Sequence, residues 1–138
     1  QLRERREMTS SSHDERGAIT VWVTAALLGF IVAIGLGVDF AGHARATQEA
    51  RGVAAEAARA GGQHLSLHGG QLLPDQATAM RAAQNYVAAS DFTGEARIQG
   101  DVIEVRVTGE YRCLFLGVIG IQTLKVEAVG TADVTTSR

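Results

Sequence analysis

The feature that most constrains this chain is a run of 22 residues, Gly17 to Val38, that contains no charged side chain and is bounded by Arg16 and Asp39. Rising about 1.5 Å per residue, a helix of that length measures roughly 33 Å, which matches the ~30 Å hydrocarbon thickness of a bilayer. The run predicts a membrane-spanning helix with Arg16 and Asp39 at its two boundaries. Arg3, Arg5, Arg6 and Arg16 precede it, and only Arg45 and Arg51 follow closely. This excess of positive charge predicts a single-pass protein of the cytoplasmic membrane, its N-terminus inside and its C-terminal part extracytoplasmic. A cleaved signal peptide is the competing reading, because Ala44-Arg45-Ala46 supplies an A-x-A triplet. The run is longer than an h-region of about 7–15 residues, and the triplet lies beyond charged Asp39, so retention is expected.

Composition narrows the remaining classes. At 138 residues and 46% hydrophobic content the chain is too apolar to be disordered throughout. Thirteen basic and fifteen acidic side chains give a formal charge of −2, so no positive field favours a nucleic-acid partner. The single cysteine, Cys113, cannot close an internal disulfide and reads as a buried small hydrophobe. No nucleophile-and-base motif, P-loop or metal signature is present. The expectation is a protein with no catalytic residues, metal, cofactor or small-molecule substrate.

Residues 1–16 are polar and lack an apolar period, which predicts a disordered cytoplasmic tail. After Val38 the chain is Ala-rich, has no proline, and spaces opposite charges at Arg45/Glu49 and Glu56/Arg59. The helix is therefore expected to continue as a stem to Ala60, with Gly61-Gly62 as its stop. Residues 61–138 are expected to form an extracytoplasmic α+β head. Within it, 61–73 reads as a loop, and Pro74-Asp75 opens a second, shorter helix with Met80, Ala83 and Val87 on one stripe. Period-two patterning on either side of Gly100-Asp101 predicts a hairpin, with Ala96 and Ile98 facing Val102, Ile103, Val105 and Val107. Residues 123–135 form a third strand, bulged or broken near Gly130. The apolar run Cys113 to Ile121 is too short to cross a membrane and is either a buried connector or a patch on the stem. The fold class is α+β: a long N-terminal transmembrane stem helix, a second short helix and a small antiparallel sheet.

Ala25, Gly29, Ala33, Gly37 and Ala41 recur every fourth residue and leave one flank of the apolar helix nearly smooth. Small residues at this spacing let helix backbones approach closely in lipid, so the flank is a candidate helix-packing face. An Ala/Gly-rich chain also produces such matches by chance. His64 and His68 are spaced like a helical metal pair, but the flanking glycine pairs favour solvated loop histidines. Asp39 and His43 are placed to share one helical face.

The string from Glu15 to Gly61 resembles the N-terminal part of the TadE/TadG-like pilus-assembly proteins of the tight-adherence (Flp) system. The carriers are Arg16-Gly17 before the apolar run, Val38-Asp39 at its end, and the following stretch with Gln48, Ala54, Ala55, Ala57 and Ala58. The segment Leu116 to Ile121 and the closing strand Val126 to Ala132 resemble actinobacterial members. The resemblance implies a pilin-like minor pilin or pilus-assembly component that acts structurally, in a secretion system used for adhesion. Its implied partners are the membrane and other pilin-like or pilus-assembly proteins, including a second copy of itself, in the membrane or a surface filament. It also implies a processing site between Gly17 and Ala18. Relatives processed there usually carry Glu at the fifth mature position, where this chain has Trp22, so the chain looks nearer the TadG-type members that stay anchored. A membrane-anchored extracytoplasmic binding or sensing domain is the alternative from another class.

Overall fold

A computed structural model of the chain describes residues 11–66 and 76–133. The elements are helix α1 (Ser11–Ser66), helix α2 (Gln76–Ala88), strands β1 (Thr93–Gln99) and β2 (Val102–Arg112), a 3-10 turn (Leu116–Ile119) and strand β3 (Thr123–Asp133). The chain is α+β, with one long apolar N-terminal helix and a three-stranded antiparallel sheet of order β1-β2-β3. It divides into two units, Gln1–Val38 and Asp39–Arg138.

The described part of the first unit is helical throughout. Helix α1 is long and apolar enough to cross a membrane, and none of its most apolar stretch is buried within the chain. The two hydroxyls of the uncharged run are satisfied locally: Thr20 donates to the Arg16 carbonyl at 3.0 Å and Thr24 to the Thr20 carbonyl at 2.8 Å. Bonding back to the preceding turn removes the cost of an unpaired hydroxyl in an apolar setting. Ser11–Arg16, assigned from sequence to the polar tail, are the helix's first residues.

In the second unit the hairpin forms as expected, with Gln99 opposite Val102. Gly100 takes a φ of 63° at the first central position of the two-residue turn, a conformation that a residue without Cβ adopts freely. Alternation along the strands places Ala96, Ile103, Val105, Val107, Val126 and Ala128 in the core. They meet Ala50, Ala54, Ala57 and Ala58 of α1 and Ala83 and Val87 of α2. The inward stripe of α2 runs through Ala79, Ala83 and Val87, with Met80 at its half-buried edge. The other sheet face carries Glu95, Arg97, Arg106, Lys125 and Glu127, loosely paired in water. The helical pairs Arg45–Glu49 and Glu56–Arg59 form at 3.4 and 3.1 Å.

Two glycine readings are corrected. Helix α1 does not stop at Gly61-Gly62 but continues to Ser66. A Cβ at Gly61 would collide with the Ile103 side chain and come within 3.0 Å of the Ala79 carbonyl, so the glycine serves close packing, not termination. Nor is β3 broken near Gly130: its pairing with β2 runs unbroken from Thr123 to Asp133, with Gly130 opposite Val105. Gly130 lies directly under the backbone of Ala54, where any Cβ would overlap it. Pro74-Asp75, His68 and Val134 lie outside the described residues.

The two kinds of glycine are separable by mutation. Gly130→Ala must push α1 off the strand and is expected to cost about 1–3 kcal/mol, as overpacked cores do. Gly52→Ala, on an open helical position with nothing near its Cβ, should stabilise by about 0.5–1 kcal/mol through helix propensity. Denaturant unfolding of the full chain in detergent, followed by circular dichroism, checks both signs.

Candidate functional site

Asp39 directly follows the uncharged run, where a carboxylate would be expected to face water. It is fully buried instead. Its Oδ1 accepts the Leu114 amide at 2.7 Å, and its Oδ2 accepts the amides of Phe115 at 2.9 Å and Leu116 at 2.7 Å. These are successive donors at the entry to the 3-10 turn, which the turn itself cannot satisfy. The Tyr111 hydroxyl, next to the last residue of β2, hydrogen-bonds the same carboxylate. Gly42, one helical turn beyond Asp39, has no side chain to obstruct the Tyr111 ring, which occupies the space a Cβ would fill. His43 meets Tyr111 edge-on, centroids 6.5 Å apart, and its Nε2 lies 3.0 Å from the Lys125 carbonyl. Helix α1 is thus tied to both strands that flank the loop.

The electrostatics follow from this geometry. Burial opposes the charge on Asp39, but the three amides and the Tyr111 hydroxyl outweigh it and hold the carboxyl below its ordinary value of 3.8. Burial and then the nearby Asp39 charge push the Tyr111 hydroxyl up. The same two causes raise the Cys113 thiol. Cys113 is buried, as expected, and its amide donates to the Gln122 carbonyl at 2.8 Å, closing the neck of the loop. A carboxylate whose oxygens are all engaged as acceptors, beside a hydroxyl and a thiol held protonated, is a structural anchor. It is not poised as a base for a substrate.

Among the other sites marked in the sequence, Ala25, Gly29, Ala33, Gly37 and Ala41 all lie exposed on α1, and a Cβ at Gly29 or Gly37 would meet nothing within 4 Å. Arg16, Gly17 and Ala18 are exposed helical residues. His64 stands exposed in the last turn of α1, a helical residue where a loop was expected. Among the described residues no group of three or more His, Cys, Asp or Glu side chains is arranged to hold a metal. Cys113–Ile121 is not a buried connector: beyond Cys113 its side chains are partly or fully exposed. Sequence reasoning missed Gly42, Tyr111 and the three loop amides. The one available signal was a lone acidic residue placed against an apolar run.

Because the folded chain binds a proton at Asp39 less readily than the unfolded chain does, the anchor's contribution is complete above the ordinary Asp range. It is lost as pH falls from that range through the lower value of the folded carboxyl. Thermal melts of the full chain should therefore lose stability below about pH 4, and Asp39→Asn should flatten this acid-side slope. At neutral pH Asp39→Ala should lower the melting temperature more than Asp39→Asn, by on the order of 5–10 °C.

No curated protein and no solved structure matches this chain. A family model does, the TadE/G-like model of Flp pilus assembly, over residues 17–64. That interval holds the apolar stretch, Asp39 and the alanine face that meets the sheet. Residues 17–64 of this chain are similar to the TadE/G-like family of Flp pilus assembly.

Proposed function

We propose that the chain is a minor pilin or pilus-assembly component of a Flp-type pilus, acting structurally and without catalysis. The observation that carries this reading is the coincidence of the TadE/G-like match with the open apolar helix. In this reading α1 crosses the cytoplasmic membrane once, with the N-terminus inside and residues 61–138 forming an extracytoplasmic head. The flank of Ala25, Gly29, Ala33, Gly37 and Ala41 receives the helix of another pilin-like protein or of a second copy. Close backbone approach at small residues, not hydrophobic burial, is what associates helices in lipid. In this reading the N-terminus is retained, since Trp22 stands at the position where processed members of the resembled family usually carry Glu. Material purified from membranes and sequenced should not begin at Ala18.

The packing flank is tested by adding bulk to it. Gly29→Leu or Gly37→Leu should weaken helix association by about 1–2 kcal/mol. Membrane insertion should be unharmed, because leucine is the better helix former and the more apolar residue. Leu27→Ile and Ile31→Leu, away from the flank, should be near neutral. Crosslinking between cysteines placed in the span, together with pilus production at matched expression, reads the effect. Wild-type assembly by both glycine variants would remove the flank from the proposal. A reporter active only outside the cytoplasm, fused after Arg138, should be active, and an inactive one would reverse the orientation.

A further inference from the structure

The loop between β2 and β3 has an inverted distribution of polarity. From Cys113 to Ile121 it contains no charged residue, and four of its five aliphatic side chains are exposed, Leu114 by 71%, Val118 by 81%, Ile119 by 67% and Ile121 by 44%, with Leu116 half-buried. Its backbone is turned inward. The amides of Leu114, Phe115 and Leu116 are held by Asp39. Those of Cys113, Val118, Gly120 and Ile121 donate to the carbonyls of Gln122, Phe115, Gly117 and Leu116. Gly120, at a φ of 99°, makes the reversal that closes these bonds. A water-facing loop has no need of this arrangement, since water would satisfy its amides. In a lipid environment it is required, because an unpaired peptide group there has no water to bond.

The depth of the loop is fixed by the same bonds. Asp39 is joined by one peptide link to Val38, the last residue of the uncharged run, and the loop amides lie within 2.9 Å of its carboxylate. The loop backbone is therefore held within a side chain's reach of the point where the run ends. Arg112 and Thr123 pair across the neck, and Lys125 follows on β3. Both basic residues are exposed, with stems long enough to bring their charges to lipid headgroups.

We propose that Cys113–Ile121 is a lipid-contacting foot, which lies in the interfacial zone of the bilayer that α1 crosses and inserts Leu114, Val118, Ile119 and Ile121 among the upper acyl chains. The partner is the membrane itself, on whichever side Asp39 emerges. The foot makes a second attachment beside the helix and restricts rotation of residues 39–133 about the α1 axis. It depends on the helix being in the bilayer and not on the pilus role.

The test uses the full chain in phosphatidylcholine–phosphatidylglycerol vesicles on a Cys113→Ala background, with an environment-sensitive fluorophore on Val118→Cys or Ile119→Cys. Ile31→Cys serves as the reference within the helix, and Arg97→Cys on the open sheet face as the reference in water. Nitroxide-labelled lipids quench at a shallow or a deep position. The Val118 and Ile119 labels should emit at shorter wavelength than the Arg97 label and lose most of their intensity to shallow quenchers, whereas Ile31 responds more to deep ones. Labels at Val118 and Ile119 that stay unquenched, like Arg97, overturn the proposal. So does self-quenching between labels that disappears on dilution with lipid, which would give the loop to a second copy of the chain.

Discussion

The second unit is organised around one carboxylate. Asp39 accepts three consecutive amides from a loop 75 to 77 residues away in sequence. A hydrogen bond to an ionised acceptor is roughly twice as strong as a neutral one, and here the alternative would be a buried charge facing unpaired donors. Both sides of the contact are thus costly to leave alone and favourable together. The interaction is also directional, since three amides can converge on two oxygens in few orientations. It fixes where the loop starts, and with it the spacing of β2 and β3 at their shared end. Among the described residues no buried side-chain polar atom lacks a partner, so this contact does not stand in for a functional strain.

A second constraint is how closely α1 lies on the sheet. Its buried face is alanine and glycine, and the volume of the core comes from the strands through Ile103, Val105, Val107 and Val126. Alanine buries little apolar area per residue, so such a helix gains less from transfer out of water than a leucine-faced one. It gains in proximity, because at Gly130 and Gly61 the backbone of one element fills the space of the other's missing side chain. Packing this tight has no slack for an added methyl at those two positions.

Much of this was legible in the sequence because it depends on short-range pattern. The hairpin at Gly100-Asp101, the period-two strands and the two helical ion pairs all involve residues a few positions apart. What was misread shares one property. Gly61, Gly62 and Gly130 announce that no side chain is present, and local rules turn that absence into a helix stop or a bulge. Whether a glycine ends an element or admits a neighbour is decided by the neighbour, and Ile103 and Ala54 are distant in sequence. Asp39 was read as a boundary residue for the same reason. Nothing near it in the chain reveals that its partners are backbone amides, which no side-chain motif encodes.

Small residues therefore carry two different meanings along α1. Between residues 39 and 66, Ala50, Ala54, Ala57, Ala58 and Gly61 are buried against partners within the chain, and their size is explained by those contacts. Between residues 17 and 38, Ala25, Gly29, Ala33 and Gly37 are exposed, and among the described residues no contact accounts for them. Glycine in a helix interior costs about 1 kcal/mol relative to alanine, so two glycines on one face are an uncompensated expense for the isolated chain. In water such a helix would also expose Ile19, Trp22, Phe30 and Ile34 at great cost, which lipid removes. Lipid does not compensate the glycines, since acyl chains gain nothing from a smooth groove that they would not gain from a leucine flank. A second helix, as proposed, would, because only a close-packed backbone makes contacts at a glycine that a larger side chain would prevent. That asymmetry is the physical argument for the proposed packing of a second helix along the first half of α1.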